Sequence, residues 1–192
     1  MSARVPETLR RFIWDIQSMV ELADSPREIL FIGSDLMRRL VAVDDWLPSA
    51  FATPGDGPRL FELYADAMER FCVAASVLAP GQGWPSLQDG IWEISGVLRG
   101  EVVREVRGVG APARRLPAGA VETGSGREPV SVVNGRDDAV AVVIHVHGGD
   151  IGRRVRRVAQ ADGCQSDWVS GYANPPEAPA YDILSIQAEI TD

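Results

Sequence analysis

Residues 81–100 read GQGWPSLQDGIWEISGVLRG, two apolar runs broken at Asp89 and Gly90 and bounded by Gly81 and Gly100. Leu87, Asp89, Ile91 and Glu93 recur at the spacing at which side chains of a strand share a face. Read as one continuous strand, the stretch puts two carboxylates on an otherwise apolar wall. The texture extends outward from it. RFCVAASVLAP before it, and EVVREVRG and AVAVVIHVHGG after it, are short apolar runs punctuated by glycine and proline, the pattern of a β-sandwich or barrel. Between Gly108 and Pro129 the strands can be placed only roughly.

The N-terminal part reads differently. Leu9, Phe12, Ile13, Ile16, Met19, Val20 and Ala23 recur at spacings of three and four, the stripe of an amphipathic helix. Asp24 and Ser25 then offer capping side chains, Pro26 suits a first turn, and Ile29, Leu30, Leu36, Met37, Leu40 and Val41 mark a second helix to about Val43. FATPGDGP is an irregular connection, and a short third helix is expected near Arg59 to Ala67. The expectation is a single domain over residues 1–192, mainly helical over 1–68 and β-barrel over 69–192. The tail YDILSIQAEITD reads as a strand or a terminal helix.

Composition excludes several classes of function. The formal net charge of −8 disfavours nucleic acid, whose phosphates need a basic surface. No run of about 18 apolar residues suggests a membrane span, and MSARVPETLRRF lacks the apolar core of a signal peptide, so a cytoplasmic location is expected. All 19 basic residues are arginine, which removes lysine as Schiff base or general base. Cys72 and Cys164 form no CxxC pair and are read as thiols outside any disulfide or zinc site. The RRVRR run at 153–157 is read as a solvated edge strand, with an anion site as the alternative.

DDWLPSAFA, MERFCVAASVLAPGQGWP, IWEISGVLRG, DDAVAVVIHVHGGDIG and VSGYAN together resemble the bacterial cysteine dioxygenase-like (thiol dioxygenase) branch of the cupin superfamily, over most of the chain from Asp44 to Asn174. The resemblance implies a cupin jelly-roll β-barrel, a double-stranded β-helix, preceded by helices. In active members it also implies Fe(II) held by three histidines and oxidation of a small thiol to a sulfinate. Laid on the pattern G-x5-H-x-H-x3-E-x6-G, the chain supplies Gly81, Glu93 and Gly100 but places Leu87 and Asp89 where the first two histidines stand. A second pattern, G-x5-P-x-G-x2-H-x3-N, fits Gly119 and Asn134 and puts Val130 at the third. The family's Ser-x-His-x-Tyr run reads Val143, His145, His147, and its substrate-carboxylate clamp falls near Phe61. Neither leucine nor valine has a lone pair for a metal.

What remains is a cluster of two carboxylates and the chain's two histidines, Asp89, Glu93, His145 and His147, expected to face the barrel interior as candidate catalytic residues. Trp92, Phe61, Leu87, Val130 and Val143 are the candidate substrate-binding residues. Trp84 and Trp92 either stack on a ligand or serve packing. Three readings compete. The leading one is metal-independent acid/base chemistry on a small molecule, such as elimination, isomerisation or cyclisation, with no cofactor. A second makes the protein a non-catalytic pseudoenzyme that binds a small molecule or pairs with another protein, its barrel filled by Phe61, Leu87, Val130 and Val143. The third relocates the metal, with Asp89, Glu93, His147 and His145 holding Fe, Mn or Zn.

Overall fold

A computed structural model describes residues 5–108, 110, 112–159 and 164–182 of the chain. Both expected helices form. Helix α1 spans Glu7–Leu22 and buries Leu9, Phe12, Ile13, Ile16 and Met19 along its apolar stripe. Helix α2 spans Pro26–Val41. The Ser25 side chain accepts from the Glu28 backbone N–H at 3.3 Å, and the Glu28 carboxylate accepts from the Asp24 N–H at 3.1 Å, so two donors at the helix start are satisfied locally. No described helix is long and apolar enough to cross a membrane.

Eleven described strands make two antiparallel sheets: β1 (Arg59–Ala65), β2 (Cys72–Leu78), β3 (Gly83–Gln88), β4 (Glu93–Arg99), β5 (Glu101–Val106), β6 (Arg114–Pro117), β7 (Val121–Gly124), β8 (Val130–Asn134), β9 (Ala141–His147), β10 (Arg156–Ala159) and β11 (Gln165–Trp168). One sheet runs β1-β2-β9-β4-β7 and the other β11-β10-β3-β8-β5-β6. This is a mainly β, two-sheet jelly roll carrying an N-terminal helical layer, as the resemblance implied.

The first sheet is buried on both faces. In β2 and β9 every residue is buried. Val73, Ala75, Val77, Val142, Ile144 and Val146 pack toward the helices, while Leu78, Ala141 and Val143 belong to a separate interior cluster. That double burial explains why CVAASVL and AVVIHVH read as near-continuous apolar runs. It also puts His145 and His147 on the interior side, since alternate residues of a strand share a face. Helix α2 sits close over β4: a Cβ added at Gly96 would lie 2.7 Å from Met37 Cγ, and one added at Gly33 would collide with Ile94.

The third helix expected near Arg59 to Ala67 is instead strand β1, paired along its length with β2. RLFELYA fits a helical stripe and an alternating strand about equally, and pairing with a buried neighbour decides between them. The register places Leu60 with Cys72, Ala74 and Ile151 on the interior side, and Phe61 in the core beneath the helices. Of the tail, Tyr181 bridges to Tyr64, and residues 183–192 lie outside the described residues.

Candidate active site in the barrel

Residues 81–100 do not form one strand. Strand β3 ends at Gln88, the chain turns through Gly90 at φ 72°, and β4 begins at Glu93 in the opposite sheet. Asp89 therefore sits on a loop, and Leu87 and Glu93 line the cavity from different sheets rather than from one strand. The Gly90 N–H donates to the Gly126 carbonyl at 2.9 Å, tying this turn to the loop before β8. A left-handed φ of this kind is reached by glycine without strain, which the spacing of Leu87, Asp89, Ile91 and Glu93 could not reveal.

All four candidate catalytic residues nevertheless converge. Asp89, Glu93, His145 and His147 line one cavity of about 250 Å³, with Leu60, Trp84, Leu87, Val130, Ile151, Arg104 and Arg156 among the other walls. The barrel is thus open, not packed shut as the filled-core reading requires. Leu87 and Val130 are register partners across the β3–β8 pair, and both line the cavity. Val143 lines a smaller void of about 20 Å³ deeper in the barrel, beside Glu93 and His145.

Phe61 and Trp92 are corrections. Phe61 is fully buried in the helix-side core, its ring 6.3 Å from that of Phe51 in an edge-to-face contact. Trp92 packs against the same core and against Gly148. Neither lines the cavity. Alternation in β1 turns Leu60 inward where Phe61 was expected. Trp84, the other flanking tryptophan, does reach the cavity, and its indole N–H donates to Ser76 Oγ at 2.6 Å.

The polar geometry is compact. Across the β4–β9 pair, Glu93 opposes His147 and Ser95 opposes His145. His145 Nδ1 lies 2.8 Å from Glu93 Oε1. An ionised carboxylate only accepts, so the Nδ1–H of His145 donates. His147 stacks on His145 with ring centroids 5.5 Å apart, and it stands between the two carboxylates: Nδ1 is 4.0 Å from Asp89 Oδ2 and Nε2 is 4.0 Å from Glu93 Oε1. His147 Nδ1 is enclosed and has no hydrogen-bond partner among the described residues.

Burial sets the protonation states apart. Loss of water raises the Asp89 carboxyl to about 6, and the negative charge of Glu93 adds to the rise. Burial pushes Glu93 upward too, but the His145 hydrogen bond and nearby positive charge outweigh it and hold Glu93 below the usual carboxylate range. Burial lowers His147 to about 3, outweighing the neighbouring Glu93 carboxylate, which raises it, and the Arg156 charge adds to the drop, so its imidazole is neutral near pH 7.

Sequence reasoning missed Arg156. The RRVRR run reads as solvated, and Arg153, Arg154 and Arg157 are exposed, but Arg156 is 8% exposed and lines the cavity. Strand β10 is not an edge, because β11 covers it, and alternation sends Arg156 inward and Arg157 outward. Arg156 pairs in register with Trp168, whose ring lies 4.7 Å from the guanidinium.

The donor set at the cavity wall is compatible with a divalent cation. One ligand atom each from Glu93, His145 and His147 lie within 4.8 Å of one another. Asp89, expected in the same set, stands beside this group rather than within it.

No family model matches the chain. Among solved structures, the TT1209 protein from Thermus thermophilus is similar at 20% identity, covering 56% of this chain and 98% of that one, with a TM-score of 0.47. A protein with a double-stranded β-helix domain from Klebsiella pneumoniae matches at 14% identity over 62% of this chain and 91% of its own, also at 0.47. An RmlC-like cupin from Methanocaldococcus jannaschii matches at 13% identity over 52% and 86%, at 0.44. These neighbours include cupin and double-stranded β-helix proteins, and the likeness is one of fold.

Proposed function

We propose that this chain is a cysteine dioxygenase-like cupin barrel without the three-histidine iron centre, and that its cavity moves protons on a small molecule. The observation that carries the reading is the placement of His147 between Asp89 and Glu93, 4.0 Å from each, on the wall of an open cavity. Leu87 and Val130, register partners at that wall, support the loss of the iron site, since they occupy two of the positions the resemblance assigns to histidine.

Two carboxylates in unlike surroundings divide the roles of acid and base. Glu93, ionised and held in orientation by His145, is the proton acceptor. Asp89, its carboxyl raised to about 6, is the donor. Neutral His147 offers Nδ1 to a polar atom of the ligand. Elimination, isomerisation and cyclisation each need a base and an acid on one small substrate, and this set supplies both.

The test is proton exchange. A panel of small carbonyl, hydroxy and amino compounds is incubated with the protein in D2O and read by mass spectrometry. The reading expects deuterium incorporation into at least one compound, lost in Asp89→Asn and Glu93→Gln. Undiminished exchange in both variants overturns it, and no exchange in any compound leaves a binding protein.

One observation favours a second reading: Glu93, His145 and His147 lie close enough to hold Fe, Mn or Zn. When bound, such an ion supplies Lewis acidity or, for iron and manganese, redox chemistry. Elemental analysis of protein purified without chelator decides it: close to one equivalent of metal supports this reading, and less than about a tenth rejects it.

A further inference from the structure

Arg156 is a cation buried in the cavity wall. Its Nε is enclosed without a hydrogen-bond partner among the described residues. Asp89 and Glu93 act on it only through space. Trp168 lies against one face of the guanidinium, and Arg156 is part of the cavity wall. A guanidinium stays charged and carries five N–H donors in a planar fork. Removing it from water without replacing those hydrogen bonds is unfavourable, and one aromatic face makes up for only part of the loss. The partner that completes it is an acceptor entering the cavity.

We propose that Arg156 anchors an anionic group, a carboxylate or phosphate, on the small molecule that occupies the barrel. Planar, two-oxygen acceptors match the guanidinium fork with paired hydrogen bonds, which a neutral amide cannot do to the same degree. An anion held there places the carbon skeleton attached to it along the wall shared by Asp89, Glu93 and His147, since all four residues line one cavity. The substrate class is therefore a small organic acid or phosphate ester, with the proton to be moved on an atom near the anionic group. The guanidinium would also stabilise negative charge that spreads toward the anion as a proton leaves. This inference rests only on the cavity being a ligand site. It holds whether the neighbouring residues act as acid and base or hold a metal.

The experiment follows the arginine Nε–Hε signals by NMR while malonate, inorganic phosphate or malonamide is titrated into wild type, Arg156→Gln, Arg156→Lys and Arg104→Gln. The expected result is a saturable shift of the Arg156 signal with malonate or phosphate and none with malonamide. Affinity should fall at least about tenfold in Arg156→Gln and less in Arg156→Lys, which keeps the charge. The tighter of malonate and phosphate names the anion. Equal binding of malonamide, unchanged affinity in Arg156→Gln, loss that follows Arg104→Gln instead, or no shift with either anion overturns the proposal. The comparison of malonate with malonamide in wild type needs no variant to fold. The deuterium-exchange assay on Asp89 and Glu93 judges the acid/base reading separately.

Discussion

His145 donates to Glu93 across 2.8 Å between two neighbouring strands of the helix-backed sheet, so the ionised carboxylate deep in the cavity is held in one orientation by a residue two positions from His147. Glu93→Gln keeps an oxygen that can accept from His145 and removes the charge. The fold should persist by circular dichroism, while deuterium exchange into a turned-over compound falls by about 10²–10⁴-fold, the usual contribution of a positioned base.

Asp89 is raised to about 6 in the folded protein, so between its unfolded value near 4 and that point the folded state binds more protons than the unfolded one. Stability attributable to Asp89 is therefore lost as pH rises through this window. Asp89→Asn should be more stable than wild type above about pH 7, by about 3 kcal/mol from the conversion of pKa shift to free energy, and nearly equal at about pH 4. Urea melts at the two pH values measure the difference.

His147 has the opposite sense. As pH falls below about 6.5, the unfolded imidazole takes up a proton that the buried ring does not accept until about 3, so stability drops across that range. His147→Phe removes this dependence. Relative to wild type, its urea midpoint should fall less between about pH 6.5 and pH 5, and an unchanged slope would mean His147 is hydrated in the folded state.

Leu60 and Phe61 are adjacent in sequence and separate in role. Phe61→Ala should cost about 3–5 kcal/mol of stability, the range for truncating a buried aromatic. It should leave anion-probe affinity unchanged in the folded fraction. Leu60→Trp should narrow the cavity and weaken probe binding with a smaller loss of stability. Thermal unfolding and the NMR titration separate the two effects.

The helical stripe from Leu9 to Met19, the Ser25 cap and the apolar runs of β2 and β9 were legible because each depends on local spacing or on burial that shows as continuous hydrophobicity. The gathering of Asp89, Glu93, His145 and His147 was also legible, although half for the wrong reason. Alternation in β9 correctly sent both histidines inward, whereas Asp89 reaches the cavity from a turn that ends β3.

The order of residues by itself determined which segments would bury a face, the two helices, the strand-rich remainder and the set of titratable side chains on offer, because hydrophobic periodicity is a property of neighbours along the chain. Tertiary structure alone decided that RLFELYA pairs as β1, that Leu60 rather than Phe61 faces the cavity, and that Arg156 leaves its run of exposed arginines to lie buried beside Trp168. Each of those outcomes is set by register against a partner strand, where a shift of one residue exchanges the two faces.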